Sequence, residues 1–128
     1  MSLRSPIGRV LGLGAAHEGV SHWWTQRVSA VALLGLGPWL LISLLVLGAH
    51  DYATVVQWAA RPWNAVLLVL TVATLFYHSY LGVQVVVEDY VSHKGAKVAA
   101  LLTLKFLHVV LAAIAIFAVL RVALGAAP

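Results

Sequence analysis

His78 lies about fifteen residues into the charge-free run WNAVLLVLTVATLFYHSYLGVQVVV and eleven before Asp89. An imidazole inside so apolar a segment has a cost and needs a reason. Three chemistries suit it: an axial ligand to haem iron, a hydrogen bond between helices, or a proton relay. Gly82, one turn on, shares its face and would clear room either for a flat macrocycle or for a neighbouring helix. At ~100° per residue, Asp89 returns almost to the face of His78, ~16 Å further along the axis, with Tyr90 a further ~100° round. An acid beside a phenol at a membrane surface suits a proton-coupled redox reaction, in which a quinone must receive protons at two oxygens. The plain alternative is a solvated helix end with a tyrosine in the aromatic belt.

Other polar side chains border the apolar runs. Arg27 follows His22, Trp23 and Trp24. This is either an interfacial belt with a positive charge on the cytoplasmic side, or an arginine that pairs with an interfacial anion such as a haem propionate or a quinone-site group. Lys105 and His108 are spaced i, i+3 and share a helix face. Lys105 is expected to snorkel toward the nearer surface, and His108, deeper, competes with His78 as a haem ligand. His17, His50 and His93 fall at or outside the interfaces, and no role is assigned to them.

The rest of the chain must position these groups within a membrane. Of 128 residues, 62% are hydrophobic and 9% charged, against roughly half and a quarter in a soluble domain. That balance excludes a separate soluble catalytic domain and implies one membrane domain over residues 1–128, all α-helical. The absence of cysteine removes disulfides, thiolate nucleophiles and iron–sulfur ligation, leaving histidine as the natural ligand for any metal. A net charge of +4 in so apolar a chain reads as topology information, and no nucleic-acid partner is expected.

Three spans are expected, over about 28–50, 63–88 and 98–121, with Pro38 kinking the first. The polar segment HDYATVVQWAARP reads as a short connection with an interfacial turn anchored by Tyr52 and Trp58. Arg4, Arg9, Arg27, Lys94 and Lys97 lie on one side and Arg61 and Arg121 on the other, which predicts a cytoplasmic N-terminus and a C-terminus outside. The first 27 residues lack a short apolar stretch with a small-residue cleavage site and read as a retained tail.

The pattern SPIGRVLGLGAAHEGVSHWWTQRVSAVAL, together with HSYLGVQVVVEDYV and three spans, resembles the hydrophobic membrane anchor subunits of succinate dehydrogenase, the SdhD family of respiratory complex II. The resemblance covers nearly the whole chain. It implies a subunit that is not catalytic alone, within an enzyme passing electrons from succinate to ubiquinone in the respiratory chain and the tricarboxylic acid cycle. The implied partners are a second, cytochrome-b-type anchor, an iron–sulfur subunit and a flavoprotein, forming a helical bundle in the bacterial cytoplasmic (inner) membrane. His78 then matches the axial ligand to a b-type haem, with the second ligand from the other anchor. Asp89 and Tyr90 match the ubiquinone site, Arg27 matches the arginine near the haem propionates, and His22 corresponds loosely to a histidine of that region. The alternatives are the anchor of another quinone-linked enzyme, such as fumarate reductase, or a structural membrane scaffold without cofactor.

Overall fold

The computed structural model describes residues 16–48 and 51–125. Helix α1 runs over Ala16–Leu47, α2 over Tyr52–Ala59, α3 over Pro62–Tyr90 and α4 over Lys94–Ala123. α1, α3 and α4 are each long and apolar enough to cross a bilayer, so the all-helical, three-span expectation is borne out.

The helices differ from the expected spans in informative ways. α1 begins at Ala16, three turns before the apolar run, because nothing between Val20 and Leu34 interrupts helical geometry. Those added turns carry His22, Gln26 and Arg27 onto the α1 surface, where the sequence suggested a tail. The helix also continues through Pro38, as membrane helices can when neighbours re-satisfy the freed carbonyl. It ends at Gly48, whose φ of 67° is the left-handed conformation that closes a helix C-terminus and that other residues resist.

The expected connection is itself a helix. α2 is started by Asp51, whose Oδ2 accepts the backbone N–H of Thr54 at 3.0 Å. Its Trp58 turns inward and stacks on Trp39 of α1, with ring centroids 5.9 Å apart, while Tyr52 is exposed. Asn64 Nδ2 donates to the Trp58 carbonyl at 2.8 Å, closing the corner into α3, where Pro62 occupies the first turn. At the opposite end, Lys97 Nζ donates to the Glu88 carbonyl. His93 Nδ1 accepts the Ala96 N–H at 3.3 Å and so caps α4, a role its position outside the spans did not suggest.

α3 is the central element. It packs against both α1 and α4, which barely meet each other. Among the described residues only Ser29, Ala65, Thr71 and Leu81 are buried. All are small except Leu81, as expected where helix backbones approach closely within a membrane. Most large apolar side chains face outward, as in a bundle solvated by lipid and by other helices.

The Asp51 cap generates a pH prediction. The Thr54 hydroxyl, then the Thr54 backbone N–H, hold the Asp51 carboxyl below the usual aspartate value. A carboxyl lowered in the folded state stabilises above its unfolded value, and that contribution is lost as pH falls through the folded one. Acidification of the wild type and Asp51→Ala at neutral pH should therefore both lower the amide protection factors over residues 52–58, taken against intrinsic exchange at the same pH, whereas Asp51→Asn should retain a cap and lose the pH dependence. Equal exchange in all three would remove the cap from the account of α2.

Candidate functional site

α1 and α3 meet along a seam where Ser29 faces His78 and Gln26 faces Gly82. Toward the N-terminal end of α1 the two helices open into a cleft of about 1130 Å³, whose walls include His22, Gln26, Arg27, His78, Gly82, Gln84 and Glu88. Glu88, ten residues from His78, lines the cleft, while Asp89 and Tyr90 are exposed on the last turn of α3 and lie outside its wall.

His78 is held from behind. Its Nδ1 lies 2.9 Å from Ser29 Oγ, and Ser29, only 5% exposed, donates to the Gln26 carbonyl at 3.0 Å. A hydroxyl has a single proton to give. When that proton points at the Gln26 carbonyl, Ser29 accepts from His78 Nδ1–H and Nε2 carries the lone pair of the ring; when it points at Nδ1, the tautomer is reversed. The pairing places His78 opposite Ser29, two residues past Arg27 on α1.

The α1 wall is polar. His22 Nε2 and Gln26 Oε1 are buried without a hydrogen-bond partner among the described residues, and unsatisfied buried polar atoms are rare enough to require an explanation. The Arg27 guanidinium lies 5.4 Å from the centre of the Trp23 ring, and Trp23 stacks on Trp24. A Cβ added at Gly82 would meet Gln26 Nε2 at 3.7 Å, an ordinary contact, so the Gln26 side chain lies against this face of α3. At the open end Gln84 Nε2 donates to Glu88 Oε1 at 2.7 Å.

His108 lies elsewhere. It sits in a separate groove between α3 and α4, with Lys105, Tyr80 and Phe76 among its neighbours. Its Nδ1 donates to the Leu104 carbonyl at 2.9 Å, its Nε2 receives the Ser79 hydroxyl at 3.3 Å, and its ring meets Phe76 and Tyr80 edge-on. Both nitrogens are thus engaged within the chain, whereas His78 keeps one for a ligand. No three His, Asp or Glu side chains among the described residues come together to hold a metal ion, so a metal at His78 would draw its other ligands from outside these residues.

Ser29, Gln26, Gln84 and Glu88 are the site residues that single-residue reasoning misses. Their signal in the sequence is polarity at the borders of the apolar runs, readable as helix surface once α1 is extended to Ala16.

Over residues 1–120 the chain matches the family described as succinate dehydrogenase/fumarate reductase transmembrane subunit. A hydrophobic membrane anchor subunit of succinate dehydrogenase from Paracoccus denitrificans is 34% identical over 115 residues, covering 90% of this chain and 88% of the relative. That of Rickettsia bellii is 37% identical over 89 residues, covering 70% and 71%. A succinate dehydrogenase membrane anchor subunit from Reclinomonas americana is 26% identical over 95 residues, covering 72% and 79%. No solved structure matches the chain. Three apolar spans with a polar cleft at one end, matched along almost their full length, place the chain in the family of succinate dehydrogenase/fumarate reductase transmembrane subunits.

Proposed function

We propose that this anchor subunit supplies one axial ligand to a b-type haem through His78 Nε2 and part of a ubiquinone site through Asp89 and Tyr90, in a complex that passes electrons from succinate to ubiquinone. The observation that carries the reading is that His78 lines the open cleft with only its Nδ1 paired, to Ser29, while Ser29 Oγ also lies 3.0 Å from the Gln26 carbonyl; with the Ser29 proton on that carbonyl, Nε2 keeps the lone pair a haem iron needs. The orphaned His22 Nε2 and Gln26 Oε1 and the Arg27 guanidinium on the same cleft fit a polar rim around such a group. Haem, when bound, supplies one-electron chemistry, and this chain's residues supply its position and electrostatics.

The remaining assignments rest on the family resemblance, and exposure and charge support them. Since His78 is a single ligand, the opposite one comes from a second anchor subunit packed over the cleft. Tyr90 is 82% exposed and Asp89 adjoins it, so both are available to a quinone or a partner that lies against the end of α3. Arg27, Lys94 and Lys97 cluster at this end, which makes it the cytoplasmic side of the bacterial inner membrane by the positive-inside rule. An iron–sulfur subunit and its flavoprotein would dock there, within reach of the quinone. The relatives' names favour succinate oxidation over fumarate reduction as the working direction.

His78→Leu should remove or strongly perturb the haem in the assembled complex, since Leu offers no nitrogen to iron. The reduced-minus-oxidised spectrum reads the outcome, and an intact spectrum together with its loss in His108→Leu would move the ligand to α4. Tyr90→Phe keeps the ring and deletes one hydroxyl, a hydrogen bond worth about 0.5–1.5 kcal/mol net. The rate with ubiquinone, relative to that with an acceptor drawing electrons upstream, should fall roughly three- to tenfold at about 1.4 kcal/mol per factor of ten. Asp89→Asn should act in the same direction. Full ubiquinone reduction and unchanged inhibitor sensitivity in both variants would leave the pair as a solvated helix end. Expressed without the second anchor, the chain should be degraded or aggregated, because the polar cleft then lacks its cover; a stable, haem-loaded chain from such cells would contradict the shared site.

A further inference from the structure

Ser29 is the one buried polar residue of α1 among those described, and it is satisfied from both directions. Its placement differs from ordinary back-bonding of a hydroxyl within a helix. Thr71 and Thr25 donate to carbonyls of their own helix and touch no ionisable group in doing so. Ser29 also donates within its helix, but its lone pair reaches across the seam to another helix, 49 residues away in sequence.

His108 supplies an internal comparison. Its Nδ1–H is taken by the carbonyl four residues back in its own helix, so that ring needs no second helix to orient it. The corresponding bond is not made by His78, whose Nδ1 partner is Ser29. The ring angle and tautomer of His78 therefore depend on α1, and a change at Ser29 would free both. Hydrogen-bond acceptors behind a metal-bound imidazole fix its tautomer and raise its basicity, and their loss typically weakens metal binding 10- to 100-fold.

We propose that Ser29 is the positioning residue for the haem-ligating histidine: with its proton committed to the Gln26 carbonyl, its oxygen accepts His78 Nδ1–H and holds the imidazole with Nε2 as the lone-pair nitrogen at the cleft. The proposal rests on the haem reading above and adds the device that orients the ligand. A more basic imidazole favours ferric over ferrous iron, so loss of the hydroxyl should raise the haem midpoint potential as well as loosen the haem.

The test uses the assembled complex in its membrane, with haem content read from the reduced-minus-oxidised spectrum and the midpoint from potentiometric titration. Ser29→Ala is expected to retain haem about tenfold less tightly and to shift the midpoint upward, a tenfold change in ferric over ferrous preference reading as 59 mV. Ser29→Thr keeps a hydroxyl and should restore both toward wild type. Ser29→Val has the shape of Thr without the hydroxyl, and it should behave like Ala; this pair decides the matter if the Ala complex fails to assemble. Equal haem content and midpoint in the Thr and Val complexes, with haem lost in His78→Leu, would overturn the role of Ser29 and leave the haem ligand in place. Haem unchanged in His78→Leu would overturn both.

Discussion

The hydrogen bond between Ser29 and His78 is the contact on which the site depends. It crosses the α1–α3 seam where few other side chains are buried, and it satisfies an imidazole that would otherwise be costly at that depth. A single such bond in a membrane bundle is worth only about 0.6 kcal/mol on average, too little to hold two helices together. Its importance is directional. It ties the His78 ring orientation to α1 and joins two residues 49 apart in sequence.

Everything else around the cleft supports that contact. The small buried residues let α3 lie close to its neighbours, and the Gln26 side chain lies against the Gly82 face of α3. At the far end of the bundle α2 ties the helices by different means, stacking Trp58 on Trp39 and bonding Asn64 to the Trp58 carbonyl. These contacts are local, aromatic and backbone-directed, and they leave the other end open. The molecule thus has a closed end, where short connections and caps fix the helix ends, and an open end, where polar groups await other subunits.

The openness is consistent with an anchor. A polar cleft of this size within an apolar chain has unsatisfied buried atoms at His22 and Gln26, which an isolated three-helix protein would be expected to pair. In a family of transmembrane subunits of a larger enzyme, another chain can complete such a surface. His78 and His108 differ within one molecule: His108 has both ring nitrogens paired within the chain, and His78 lines the cleft with its Nδ1 paired to Ser29.

Much of this was legible in the residues themselves. Hydropathy and length determine three spans, because a backbone in hydrocarbon must satisfy its own hydrogen bonds and a helix does so within one segment. The cost of an imidazole in that setting singles out His78 without reference to any neighbour. The seam could not be read the same way. Helical periodicity gives the angle of each residue about its own axis, and on that basis Asp89 returned to the face of His78. Packing brings Glu88 to the cleft wall and leaves Asp89 and Tyr90 outside it. Only the fold pairs His78 with Ser29, 49 residues away. Register between helices is a property of two segments distant in sequence, set by which side chains interlock, and only the folded chain brings them together.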